Sequence, residues 1–437
     1  MPAWPADAVR DRLSAGPPHA ARPCPPRTAP GTSPGRRKRE CPLPLAVHVL
    51  GMTAFALGTS EFMLAGLLPA ISSDLGVSVS DVGLLVSAFA IGMLVGAPLL
   101  AVATLWLPRR ATMAGLLLVF VLGHVLGAVT DAYAVLFASR VVSALACAGF
   151  WAVGAATAIS LVPADRRGRA MAVMVGGMTV ANVLGVPAGA FIAQHYGWRA
   201  VLWCVAACAL LALTGILTLV PEGSNTKSTG PRLRAELRVY ADGRVWLALA
   251  TTALVSAGIF AAFSYLAPLL TESGGLPASW VPGMLALFGV GSVVGITLGG
   301  RFADGHPFGT LYAGTGAVAV VLAVLALPLR GAAPLAVGVF LFGVAGFAVS
   351  PALNARVFAL ADGAPTLAGA TNVSAFNLGN TLGPWFGGLT IDAGLGYPSV
   401  CWLGAGLSVA ALGAVGVSAA LSHTPAARSR RTISSPG

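Results

Sequence analysis

The sequence predicts an all-α polytopic membrane protein: twelve transmembrane helices in two parallel six-helix repeats. Three observations carry this prediction. Of the 437 residues, 56% are hydrophobic and only 9% are charged, a balance outside the range of water-soluble domains. Apolar stretches recur along the chain, each at least about 20 residues long and so able to cross the hydrocarbon layer as a helix. Finally, a shift of 198 residues lays "NVLGVPAGA" (182–190) on "NTLGPWFGG" (380–388).

The elements follow in order. Residues 1–42 are rich in Pro, Ala and Arg, with no apolar core ahead of Leu43. That argues against a cleaved signal peptide and for a disordered cytoplasmic tail. Span 1 (about 44–71) is apolar or small throughout except at Glu61, in "LGTSEFMLAGLLPA". Span 2 (81–105) leads into a loop ending in Arg109 and Arg110; spans 3 (111–130) and 4 (132–162) follow, the latter holding Arg140. Spans 5 (168–195) and 6 (198–220) complete an N-terminal bundle, 43–220, and the polar segment 221–244 is a cytoplasmic linker. Spans 7 (245–270), 8 (280–303), 9 (308–329), 10 (333–359), 11 (365–390) and 12 (398–421) form a C-terminal bundle, 245–421, with a cytoplasmic tail at 422–437. All are continuously apolar and far longer than the roughly ten-residue alternating strands of a membrane barrel, so they read as helices.

Orientation follows from Lys and Arg, which are retained in short cytoplasmic loops. With both termini inside, only Arg199 and Arg330 fall outside, and only Arg140 and Arg356 fall within spans. The net charge of +11 is therefore a topology signal, because the basic residues are dispersed over loops and form no nucleic-acid footprint. Neighbouring shifts extend the repeat: Phe89, Gly92 and Gly96 fall on Phe288, Gly291 and Gly295, and Ala148, Gly149 and Phe150 fall on Ala345, Gly346 and Phe347. Parallel repeats related by an axis along the membrane normal place a substrate site between the halves, near the midplane.

These residues also carry a family resemblance. Over residues 44–421 the chain resembles the major facilitator superfamily, and within it the twelve-helix drug:proton antiporters. "GTSEFMLAGLLP", "RVVSALACAGF", "VPADRRGRA", "YLAPLLTESGGL" and "LALFGVGSVVG" look closest to the chloramphenicol-exporter branch. "FNLGNTLGPWFGGLTIDAGLGY" is similar also to the arabinose and sugar-efflux branch.

The resemblance implies roles for several motifs. The family's loop 2–3 signature joins Gly, Asp and a basic run into a latch between the halves. Here the first copy keeps Gly96, Arg109 and Arg110 without an acidic residue, and the second keeps Gly299, Gly300, Arg301 and Asp304. The antiporter signature GxxxGPxxGG is reduced in helix 5 to Gly185, Pro187 and Gly189, and appears whole in helix 11 as Gly379, Gly383, Pro384, Gly387 and Gly388. Glycines at this spacing permit close helix approach and proline bends a helix, so a gating role and ordinary packing are both compatible with them.

Glu61 is the acidic residue well inside a span, and an ionised carboxylate there costs a few kcal/mol unless it faces a cavity, finds a partner or holds a proton. Arg140 is the basic residue deep in a span, and it matches the Arg of the family's helix 4 motif, although Ser143 and Ala144 depart from that motif's Gln and Gly. Proton coupling is assigned to Glu61 and Arg140, with a static buried pair as the alternative. The substrate cavity is assigned to Phe150, Trp151, Asn182, Tyr265, Asn354, Asn377 and Asn380, with Asn372, Phe260, Phe263 and Phe376 nearby; such a greasy wall with a few hydrogen-bonding groups suits an amphipathic neutral drug.

Other classes fit less well. A phosphate loop needs Gly-Lys-Ser/Thr, yet Lys38 and Lys227 are the lysines and neither follows a Gly. The histidines at 19, 48, 124, 195, 306 and 423 are scattered, and no cysteine pair has metal-ligand or CxxC spacing. A channel would not require helix-bending Gly and Pro at matching places in both halves. The expectation is a monomeric, multi-pass cell-membrane carrier without cofactor or metal that exports a small molecule, chloramphenicol or a related compound, against protons; sugar efflux is the alternative.

Overall fold

A computed structural model describes residues 43–104, 107–163, 166–222, 238–303, 305–361 and 365–423. Helices and their connections make up these residues, and no strand occurs among them. Helix α1 (Leu45–Phe62) passes through a 3-10 turn (Met63–Gly66) into α2 (Leu68–Leu75). Next come α3 (Val79–Ala103), α4 (Arg109–Val129) and α5 (Tyr133–Ser160). A π turn (Ala181–Gly185) joins α6 (Arg167–Val180) to α7 (Val186–Tyr196), and α8 (Trp198–Leu219) closes the first set. In the second set, α9 (Gly243–Ser264) runs into a single turn (Leu266–Pro268) and a π turn (Leu269–Ser273). Then follow α10 (Val281–Ala303), α11 (Pro307–Leu325), α12 (Ala332–Ala348), α13 (Ser350–Leu360), α14 (Pro365–Asp392) and α15 (Pro398–His423). The predicted tails and most of the linker lie outside the described residues, as does Asp304.

Local chemistry sets the boundaries. Gly76, at φ 64°, ends α2 in the left-handed conformation that glycine adopts without steric cost. Two residues later Ser78 and Asp81 cap α3 reciprocally: the Ser78 backbone N–H donates to Asp81 Oδ2 (3.2 Å) and the Asp81 N–H to Ser78 Oγ (3.0 Å). At the start of α9, Asp242 accepts from the Arg244 N–H at 2.9 Å.

Among the described residues, eleven helical segments are long and apolar enough to cross a membrane. Twelve spans were expected, and the difference is α14. Its 28 residues extend about 42 Å, which is ample, but Asn372, Asn377, Asn380, Pro384 and its glycines dilute the apolar content. Those three asparagines are buried, so the polar side of α14 faces the interior. The outside of the molecule is apolar instead: Leu118, Leu122, Leu126, Leu211, Val320 and Val409 are all exposed, as expected of a surface solvated by lipid.

The internal repeat has a packing cause. A Cβ added to Gly92 would lie 2.6 Å from the Val141 carbonyl oxygen, and one at Gly96 3.0 Å from the Ala148 Cβ, so α3 crosses α5 at backbone contact. In the second half Gly291 and Gly295 of α10 meet the carbonyls of Phe340 and Val344 on α12 in the same way. Lipid supplies little apolar drive for helix association, so both crossings depend on small residues that let backbones approach.

Contacts between the halves run along α3 and α14. Ser80 Oγ donates to Asp392 Oδ1 at 2.5 Å, the Tyr265 ring lies against Gly83, Ser87 Oγ donates to the Thr381 carbonyl at 2.8 Å, and Ser374 Oγ to the Leu94 carbonyl at 3.2 Å. On the opposite side of the seam, Gln194 Nε2 donates to the Ala278 carbonyl at 2.6 Å. These bridges gather toward the end of the bundle that carries Asp74, Asp81, Asp131 and Asp392, the aspartate end, and continue to mid-height. The other end carries Arg109, Arg110, Arg244 and Arg301.

Candidate functional site

The helix that holds Glu61 loses its regular pitch directly after it: α1 stops at Phe62 and the chain tightens into the 3-10 turn Met63–Gly66. That turn is crowded from both halves, since a Cβ on Gly66 would lie 2.9 Å from Ala190 Cβ on α7 and 3.0 Å from Leu285 Cδ1 on α10. Glu61 Oε2 is buried and has no hydrogen-bond partner.

Arg140, on α5, is 2% exposed. Its guanidinium does not reach Glu61 for an ion pair; it is held by the neighbouring residue. Nη1 donates to Ser60 Oγ at 2.9 Å and Nη2 to the Ser60 carbonyl at 2.7 Å, while Nε has no partner. One face of the guanidinium lies 4.5 Å from the centroid of the Phe89 ring on α3, a cation–π contact. Behind Ser60 stands His124 of α4, whose Nε2 is 2.7 Å from Ser60 Oγ and whose Nδ1 is 2.8 Å from the Phe120 carbonyl. Ser60, His124, Arg140 and Ser143 are all buried. The structure thus brings the two expected coupling residues into one cluster, with Ser60 between Arg140 and His124. Sequence reading passed over Ser60 and His124, although His124 is the sole polar side chain of α4 between Thr112 and Thr130.

Next to Glu61, Phe62 opens an aromatic chain that crosses to the other half. Its ring lies 5.9 Å from Phe260 and 6.4 Å from Phe263, Phe263 stacks on Phe288 at 4.6 Å, and Phe288 reaches Phe342 at 5.2 Å and Phe347 at 6.0 Å. Phe260 and Phe347 are half-buried and the other rings are buried, an apolar wall beside the carboxylate.

The expected cavity residues divide. Asn182 lies in the π turn, with its carbonyl 2.6 Å from where a Cβ on Gly289 would be. On α14, Asn377 Nδ2 donates to the Val373 carbonyl (3.0 Å), and Asn380 Oδ1 is buried without a partner. Asn354 Oδ1 accepts from Asn372 Nδ2 at 2.5 Å. Trp151 and Phe376 are half-buried. Phe150 and Tyr265 are fully buried, and the Tyr265 hydroxyl donates to the Pro384 carbonyl at 2.8 Å, so both are packed into helix interfaces. A shallow surface groove with room for about one water, lined by Thr251, Arg356 and Ser418 among others, lies within the second half and includes none of the expected cavity residues.

The expected gate and latch residues also have distinct settings. Gly185 abuts the Thr59 hydroxyl, two residues before Glu61, and Pro187 is the second residue of α7 after the π turn. A Cβ added to Gly383 would lie 2.5 Å from the Ala257 carbonyl oxygen, and Pro384 sits inside α14. Arg110 pairs with Glu222 at 2.8 Å, at the end of α8 in its own half. Arg301 is exposed at the end of α10, and Arg109 begins α4. Among the described residues no group of three or more His, Cys, Asp or Glu is placed to hold a metal ion.

Comparison with known proteins agrees with this architecture. A Major Facilitator Superfamily profile matches residues 50–379. The "Chloramphenicol resistance protein" of Streptomyces lividans is 44% identical over 370 residues, which cover 84% of this chain and 94% of that protein. The "Inner membrane transport protein YdhP" of Escherichia coli (strain K12) is 36% identical over 356 residues, 82% of this chain and 91% of that one. Among solved structures, the nucleoside transporter NupG superposes with a TM-score of 0.67 at 14% identity, over 86% of this chain and 99% of its own. A bacterial homologue of the human lysosomal transporter Spinster gives 0.63 at 19% identity, over 86% and 94%.

Proposed function

The chain belongs to the major facilitator superfamily, and from that premise we propose that it is a proton-coupled exporter of a small amphipathic compound, chloramphenicol or a close chemical relative, located in the cell membrane with both termini cytoplasmic. One observation carries the coupling reading: Glu61 Oε2 is buried and unpartnered at the place where α1 gives way to its 3-10 turn. Glu61 as a residue is half-buried, and a carboxyl oxygen with neither water nor a partner is best satisfied as part of a group that takes up a proton. Exposure of the same group to water in the other access state allows that proton to leave, so each cycle of the bundle carries one across. Arg140, docked on Ser60, is close enough to compensate the carboxylate once it is ionised. Substrate would lie against the Phe62, Phe260, Phe263 and Phe288 rings, with the amides of Asn182, Asn377 and Asn380 as hydrogen-bonding candidates. The drug assignment is supported by the name of the Streptomyces relative, which belongs to that protein. Sugar efflux, the alternative, is favoured by the amide-rich face of α14.

The test is expression in a drug-sensitive host, scored for tolerance to chloramphenicol against a panel of other drugs and of sugars. Accumulation in everted vesicles under an imposed proton gradient then reads the coupling. Glu61→Gln keeps size and hydrogen bonding but fixes a neutral group, so uphill accumulation should fall to background while downhill exchange survives. Uphill transport by Glu61→Gln would remove Glu61 from the carrier role.

A further inference from the structure

The hydrogen bonds around His124 determine where its protons are. The Phe120 carbonyl can only accept, so Nδ1 carries the hydrogen directed at it. Nε2 is then a lone pair, and the Ser60 hydroxyl donates to it across 2.7 Å. With its own hydrogen committed to His124, Ser60 Oγ accepts from Arg140 Nη1, while the Ser60 carbonyl accepts from Nη2. His124, Ser60 and Arg140 thus form a directed chain across α4, α1 and α5, and one residue further along α1 is the unpartnered carboxyl of Glu61.

We propose that His124, acting through Ser60, is a proton-dependent positioning residue: its protonation and the docking of Arg140 on Ser60 exclude one another, so His124 decides whether the guanidinium stays on Ser60 or turns to Glu61. This rests on the reading of Glu61 as proton carrier. A proton arriving at Nε2 turns that atom from acceptor into donor. Ser60 Oγ has lone pairs for both N–H groups, but the donors are then two cations bridged by one buried oxygen, whose like charges repel, while the hydroxyl hydrogen loses its partner. Arg140 is released by that conflict, and an ionised Glu61 is the anion next to it. In charge terms the step balances: the proton that leaves the Glu61 carboxyl is the one taken up at Nε2, and the cluster keeps one net positive charge throughout.

The surroundings contain little else that could produce the effect. Facing His124 are Ser60 on α1, Ser143 (Oγ 3.5 Å from Nδ1) and Arg140 on α5, and the Phe120 ring of its own helix at 4.2 Å. Along α8, packed on α4, the buried positions Leu202, Val205, Ala206 and Ala209 are apolar. Its Cys208 is half-buried and Cys204 exposed, and Arg199 at its end is engaged with Asp74 and Asp131. Cys147 on α5 is buried near Arg140.

Chloramphenicol accumulation in proteoliposomes, driven by an imposed proton gradient and measured from pH 5 to 9, tests the proposal. His124→Gln can still accept from Ser60 but cannot titrate, so transport should persist with its pH midpoint displaced by at least about one unit. Ser60→Ala should reproduce that displacement although serine does not titrate, and Ser60→Thr should restore the wild-type profile. A wild-type pH profile in either His124→Gln or Ser60→Ala would overturn the proposal. If Glu61→Gln uncouples transport while His124→Gln leaves the profile unchanged, the carrier reading stands and this one falls; uphill transport by Glu61→Gln would remove the carrier reading itself. If variants fail to insert, or chloramphenicol is not transported, histidine-selective nitrogen NMR of the wild-type protein decides. His124 should change protonation between pH 5 and 9, and constancy across that range overturns the proposal.

Discussion

At the level of single residues, the cost of burying a charge decides what the sequence reveals. Glu61 and Arg140 are conspicuous because a charged side chain in an apolar stretch has no inexpensive explanation. Ser60 has several, since serine is common in packed membrane helices. His124 is recognisable as polar, but its partner lies two helices away, and helix register between non-adjacent spans is not written in composition. Charges outside the spans behave more simply. Asp74, beyond the 3-10 turn of α1, accepts from the Trp198 indole N–H at 2.9 Å and is paired with Arg199, which also binds Asp131 at 2.6 Å. The Trp198 hydrogen bond, followed by Arg199, holds the Asp74 carboxyl below the usual carboxylate range. A depressed native value means that the contribution is fully present above the unfolded-state value and is lost as pH falls through the native one. Acidification below about pH 4 should therefore loosen the aspartate end. The group is largely exposed, so the effect is small. In detergent, the unfolding midpoint of Trp198→Phe should lose less on acidification from pH 5 to 3 than that of the wild type; parallel acid curves would remove this contribution.

At the level of elements, the expected helices recur, but the irregularities within them were only partly readable. Pro187 and Pro384 mark bends in any apolar helix, yet only helix 5 answers with a π turn, where the Val186 N–H bonds back to the Ala181 carbonyl. The 3-10 turn after Glu61 has a sequence cause in Pro69, at the second position of α2, which has no N–H for the Ala65 carbonyl and so breaks the regular ladder there; the crowding of α7 and α10 against Gly66 adds to it. Glycine spacing was legible as close packing, while the choice of neighbour was not. Gly289 shows the difference, because a Cβ there would stand 2.6 Å from the Asn182 carbonyl oxygen and 2.7 Å from the Val183 Cα, both backbone atoms. Gly289→Ala must push α10 off the π turn, an overpacking that costs about 1–3 kcal/mol. It should lower the unfolding midpoint and slow transport together. Gly316→Ala and Gly406→Ala, on α11 and α15, meet nothing within 4 Å and should be neutral or stabilising by up to about 1 kcal/mol, the helix-propensity difference in soluble hosts. If all three variants behaved alike, the contact between α10 and the π turn would not limit stability.

At the level of the whole molecule, the twofold repeat explains why the halves can move as units. Each is tied internally by repeated glycine-mediated backbone crossings, α3 on α5 and α10 on α12, whereas the seam between halves combines side-chain hydrogen bonds, the Phe62 ring contacts and glycine contacts at Gly66, Gly83 and Gly289, of which Gly289 meets backbone atoms. Crossings with backbone atoms in contact resist shear, because a small displacement meets hard repulsion; single hydrogen bonds between halves are each worth about 0.5–1.5 kcal/mol and exchange readily with water. Motion should therefore divide the molecule along the seam, with α3 and α14 parting at the aspartate end when the other access state forms. Ser80 and Asp392 are the outermost bridge along that seam, with Ser80 Oγ 2.5 Å from Asp392 Oδ1. Cysteines at these two positions should cross-link readily in the arrangement described here. With the seam closed at that end, export should stop and resume on reduction, while each single cysteine variant keeps most of its transport. A large water-soluble thiol reagent should reach a cysteine in the cross-linked site only from the arginine end. Undiminished transport by the fully cross-linked protein would mean that the halves do not part there, and alternating access across this seam would have to be abandoned.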